Sequence, residues 1–110
     1  MFVLLGFSFS DSFKPAGIIF IELNGTTNYS ISCRTTDPNA IVTLVRGDQE
    51  ILVGGRVTLD KQVFTIHGIA LIDLGMYRCK ANRSGTVKEQ DAVLIHTIVK
   101  GTKFIDTVMT

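Results

Sequence analysis

Asp73-Leu74-Gly75-Met76-Tyr77-Arg78-Cys79 is the stretch that decides the fold. Period-two alternation puts Tyr77 and Cys79 on one side of a strand and Met76 and Arg78 on the other. Asp73 and Gly75 supply turn chemistry just before it. A tyrosine at a strand start can bond back through its hydroxyl to the chain behind it and fix a corner. The cysteine two residues on then reaches toward the facing layer.

Working outward, the flanking sequence reads as short strands separated by turn signals, and no helical period holds. The strand running to Ala81 meets the turn Arg83-Ser84-Gly85, and a last strand follows to about Val99. Upstream, Arg56–Leu59 and Gln62–Ile66 form a hairpin with Val57, Leu59, Phe64 and Ile66 inward, and Ile69 lies under the corner. Tyr29 to Cys33 alternates cleanly, with Tyr29, Ile31 and Cys33 inward. Ile41–Val45 is another strand, with Val42 and Leu44 inward. The first strand is Ile18–Leu23, and Asn24-Gly25 after it reads as a hairpin turn. The fold class is therefore all-β, a sandwich of two antiparallel sheets, over residues 17–100. Residues 1–16 are a lead-in, and 101–110 are a tail or a linker to a following domain. Phe2–Phe7 is an apolar run with Ser8 and Ser10 spaced for a cut before Asp11, so residues 1–10 read either as a signal peptide or as an irregular lead-in.

The 110 residues suit one core and no second domain. A net charge of +1 gives no electrostatic case for nucleic acid. No apolar run approaches the ~20 residues of a membrane-spanning helix. The two cysteines are not in a C-x-x-C pair, which argues against zinc. In the cytosol they would be inert thiols. Outside the cell they would form one disulfide worth ~4 kcal/mol. Three sequons, at Asn24, Asn28 and Asn82, favour the outside and name those asparagines as glycosylation sites.

The run from Phe64 through Asp73-x-Gly75-x-Tyr77-x-Cys79 resembles the I-set immunoglobulin pattern. The resemblance implies an immunoglobulin-like sandwich whose sheets are joined by a Cys33–Cys79 disulfide. It also implies an Arg56–Asp73 ion pair tying a strand start to the corner made by Asp73, Gly75 and Tyr77. Such domains usually carry a core tryptophan where this chain has Leu44, and the chain contains no tryptophan. Cys33-Arg34-Thr35-Thr36-Asp37-Pro38, with Val42-Thr43-Leu44, is similar to the second extracellular domain of platelet-derived and vascular endothelial growth factor receptors. That likeness covers about a dozen residues, and no ligand-contact residue is carried over from it.

Two features are candidates for binding. Arg46-Gly47-Asp48 falls at a hairpin turn, where a cation and a carboxylate can be offered to an integrin and its metal ion. The competing reading is a turn that merely needs Gly and Asp. The second candidate is a sheet face. Ile41 and Val45 point outward on one strand, and Met76, Arg78 and Lys80 do so on the next. The apolar last strand completes a partly apolar surface with a basic edge. A neighbouring domain or the N-terminal segment covering this face is the competing reading. His67 and His96 have no companion motif, so no enzyme is indicated, and no cofactor, metal or small-molecule substrate.

The function that follows is an extracellular or cell-surface module of a receptor, with a growth-factor receptor kinase ectodomain as the first reading. It takes a protein ligand or adhesion partner, homo-association through the sheet face included. An adhesion module using Arg46-Gly47-Asp48 is the alternative. An intracellular domain of the muscle-filament type is a third reading, and it requires reduced cysteines and unused sequons.

Overall fold

The computed structural model describes residues 7–10 and 16–98. Eight strands occur among them: β1 (Gly17–Ile21), β2 (Tyr29–Ser32), β3 (Ile41–Arg46), β4 (Gln49–Ile51), β5 (Val57–Asp60), β6 (Val63–Ile66), β7 (Gly75–Arg83) and β8 (Thr86–Thr97). A single 3-10 turn, Leu71–Asp73, precedes β7. The strands form a five-stranded sheet in the order β1-β8-β7-β3-β4 and a three-stranded sheet in the order β2-β6-β5. Every pairing is antiparallel except β1 with β8, which runs parallel from Gly17 opposite Val93 to Ile21 opposite Thr97. The fold is an immunoglobulin-like β-sandwich.

The core is drawn from inward-facing residues of both sheets. Ile31, Phe64 and Ile66 from one sheet meet Val42, Leu44, Tyr77, Ala81, Val93 and Ile95 from the other, all buried. Each large side chain removed from water there contributes about 1.5–3 kcal/mol before entropy is counted. Leu44, in the position where a tryptophan is usual, is fully buried and sits opposite Cys79 in register. Cys33 and Cys79 join the sheets by a disulfide with Cα atoms 5.5 Å apart, and no free cysteine occurs among the described residues.

At the corner, the Tyr77 hydroxyl donates to the Asp73 carbonyl. Asp73 is 5% exposed, and its carboxylate accepts from both arms of Arg56, each at 2.9 Å, and from the Ala70 N–H at 2.8 Å. Gly75 has φ +141°, and a Cβ there would lie 3.1 Å from Arg46 Cδ. Glycine therefore supplies both a backbone that L side chains rarely adopt and the room for Arg46 to cross the strand.

Three sequence expectations change. Asn24-Gly25 does not close a hairpin, because β1 pairs with β8 and β2 with β6. The chain crosses between sheets there instead. Asn24 Oδ1 accepts from the Thr26 N–H at 2.9 Å, an Asx turn that uses the same residue types. Leu59 is 40% exposed, since β5 is the edge of the smaller sheet and lacks a neighbour on its outer side. The described part of the lead-in also packs on the domain. Phe7 is buried in the core, Phe9 bridges to Thr35, and the Thr36 N–H donates to the Ser8 carbonyl. Residues 1–6 of the expected signal segment and residues 99–110, which include the expected tail, lie outside the described residues.

The β5–β6 turn holds a feature that the sequence does not advertise. Lys61 and Gln62 both have positive φ, 49° and 72°, without glycine. Gln62 is held there by its side chain. Its amide N–H2 donates to the Ala40 carbonyl at 2.9 Å, and to the Asp37 carbonyl and Thr35 Oγ1, each at 3.2 Å. Its Oε1 accepts from the Thr35 N–H at 2.9 Å. The amide satisfies loop groups that would otherwise be left without partners, which offsets the backbone cost of the turn.

Candidate protein-docking face

The outer surface of the five-stranded sheet is assembled by register. Ile41, Asn82 and Val87 lie side by side on β3, β7 and β8 at one end. Next come Thr43, Lys80 and Glu89, and then Val45, Arg78 and Asp91. At the far end Met76 pairs with Leu94, and Leu94 pairs with Ile18 of β1. Phe20 closes that end against His96, ring centroids 5.6 Å apart. Ile18, Phe20, Ile41, Met76 and Val87 are between 42% and 72% exposed. Five large apolar side chains on one sheet face are more than scattered surface hydrophobes require.

Ile41 and Met76 lie exposed on the expected face, and Val45 and Arg78 are part-exposed there. Ile18, Phe20 and Val87 are additions. The alternation Ile18-x-Phe20 was a usable signal. Its side of the sheet depended on the parallel β1–β8 pairing, which local sequence does not encode. The expected basic edge is not basic. Arg78 lies 3.1 Å from Glu89 and 3.9 Å from Asp91, and Lys80 lies 3.9 Å from Glu89, so acidic residues of β8 neutralise it.

Arg46-Gly47-Asp48 does lie at the β3–β4 hairpin, and Gly47 and Asp48 are exposed. Arg46, however, shares the inward register of Tyr77. Its Nη1 lies 3.3 Å from the Tyr77 hydroxyl, and its guanidinium carbon stands 5.8 Å from the ring centroid. The cation of the tripeptide is therefore turned onto the corner, away from the tip that carries Asp48.

The sequon asparagines are exposed, and each uses Oδ1 as an acceptor: Asn24 from Thr26, Asn28 from the Gly68 N–H at 2.9 Å, and Asn82 from the Gly85 N–H at 3.1 Å. Asn82 stands between Ile41 and Val87 on the sheet face itself. Arg83, within that sequon, pairs with Asp37 across the loop.

Titration shifts cluster at the corner. Burial disfavours the charged form of Asp73, but the Arg56 hydrogen bonds, the Ala70 N–H and the charges of Arg56 and Arg46 outweigh it. Its carboxyl is held below the ordinary aspartate range. Burial pushes the Tyr77 phenol up despite the opposing Arg46 contact. His67 lies 3.2 Å from Thr58 Oγ1, and the His96 ring is tilted by 47° against Phe20. No group of three or more potential metal ligands occurs among the described residues. No described helix is long and apolar enough to cross a membrane.

No protein-family model matches the chain, and no curated protein sequence matches it. Solved structures do. The tandem Ig repeats of Dlar superpose with a TM-score of 0.67 at 19% identity, over 78% of this chain and 46% of that one. The insect immune protein hemolin gives 0.66 at 24% identity, over 87% and 23%. Murine CEACAM1b gives 0.61 at 19% identity, over 74% and 40%. At these identities the likeness is one of fold. The chain spans less than half the length of each of these structures.

Proposed function

We propose that the chain is an extracellular protein-binding module of a cell-surface receptor or adhesion protein, and that the outer face of its five-stranded sheet is the docking surface. The observation that carries this reading is the exposure of Ile18, Phe20, Ile41, Met76 and Val87 on that one face. Its support from the fold is general: the similar structures include the Dlar repeats and CEACAM1b, and the hemolin structure is described with implications for homophilic adhesion. The run Cys33–Leu44 is what favours a growth-factor-receptor type of I-set domain. The adhesion reading stands without Arg46-Gly47-Asp48, because Arg46 is engaged by Tyr77.

The test is cell-surface binding of the secreted domain displayed as a tetramer. Phe20→Asp should abolish binding, while Thr58→Asp, exposed on the outer side of the smaller sheet, should leave it unchanged. Equal binding by the wild type and Phe20→Asp, with both folded, would overturn the assignment of the face.

A further inference from the structure

The charges on this face are arranged so that the face matches itself. β7 presents a column of cations, Arg78 and Lys80, and β8 presents the anions Asp91 and Glu89 opposite them in register. Their side chains remain between 43% and 68% exposed despite the contacts within one chain. Each carboxylate has acceptor sites to spare. The pattern changes sign across the line between β7 and β8.

We infer that the face docks a second copy of this chain, related by a two-fold axis that runs along the strands between β7 and β8. The inference rests on the docking reading above and names its partner. Such an axis lays β7 of one copy over β8 of the other at the same level. Arg78 then meets Asp91 of the second copy, Lys80 meets Glu89, and Met76 meets Leu94. A two-fold axis across the strands would set β7 on β7. Arg78 would then face Lys80, and Glu89 would face Asp91, an arrangement that like charges penalise. The charge pattern therefore selects both the partner and the orientation.

The size of the face sets the strength. Five strands at ~4.8 Å spacing and about seven residues of ~3.4 Å each give a flat footprint on the order of 570 Å² per copy. That is at the low end for specific association, so the pairing is weak and gains from clustering on a surface. Asn82 would face Val87 of the second copy, and a glycan on Asn82 would hold that end apart.

Sedimentation velocity on the secreted chain carrying Asn82→Gln tests this. The expected result is a concentration-dependent dimer that Arg78→Glu alone and Asp91→Arg alone each weaken by about tenfold or more. Mixing the two single variants in equal amounts should restore association, because every charge between copies then meets its opposite. Neither chain regains its own internal pair, so a purely structural role for these residues cannot give that rescue. Self-docking is overturned by a monomer throughout the concentration series, by a dimer indifferent to both variants, or by a mixture no tighter than either variant alone. If the chain is monomeric but its cell binding still falls with Phe20→Asp, the docking face stands and only the identity of its partner fails. If cell binding is also indifferent to Phe20→Asp, both readings fail together.

Discussion

The Tyr77 hydroxyl donates to the main-chain carbonyl of Asp73, closing the corner between the two sheets. Tyr77 is fully buried, so that carbonyl has no water to fall back on if the phenol is lost. Tyr77→Phe should cost about 1–3 kcal/mol, the range for leaving a buried polar group unpaired. Urea unfolding measures it. An unchanged midpoint would show that the corner does not depend on the bond.

Asp73→Asn removes a buried carboxylate from the bidentate Arg56 pair. Breaking a fully buried pair costs about 3–5 kcal/mol, but the Arg56 side chain is 46% exposed, so about 1–2 kcal/mol is expected here. The pH dependence has a definite sign. The folded carboxyl titrates below its unfolded value of about 3.9, so its stabilisation is complete above that value and is lost as pH falls through the lower folded value. The melting-temperature gap between wild type and Asp73→Asn should be widest near neutrality and narrow below about pH 4. A gap that does not change with pH would assign the effect to packing.

Gln62 separates backbone strain from side-chain bonding. Its φ of 72° favours glycine, while its amide makes four hydrogen bonds to the loop around Thr35 to Ala40. Gln62→Gly relieves the first and loses the second, whereas Gln62→Leu loses the bonds and keeps the strain. Both should destabilise, by about 1–3 kcal/mol for the bonds, with Gln62→Leu the worse by about 1 kcal/mol. Thermal melting orders them. A Gln62→Gly protein as stable as wild type would show that the amide contributes nothing.

What could be read from the chain beforehand followed locality. The alternation of Tyr29 to Cys33 and of Phe64 to Ile66, and the Asp73–Cys79 corner, are patterns a few residues long, and they carried the two-layer architecture. Asn24-Gly25 misled because turn chemistry reports a change of direction and not which sheet the chain enters next. Phe20 and Ile18 could not be placed on the face until β1 was known to pair with β8 at the far end of the chain. The acidic partners of Arg78 and Lys80 were hidden for the same reason, since cross-strand register is a long-range property. Gln62 carries no local signal at all: its partners are main-chain groups of Thr35, Asp37 and Ala40 and the Thr35 hydroxyl, all more than twenty residues away in sequence.

Extracellular display is the premise of every surface assignment made for this chain. The intact mass of the protein, isolated from cells that naturally make it and alkylated before lysis, tests that premise most directly. The expected result is N-linked glycan mass removed by Asn24→Gln, Asn28→Gln and Asn82→Gln, with neither Cys33 nor Cys79 alkylated. An unglycosylated chain with both thiols alkylated would contradict it and would favour an intracellular structural domain.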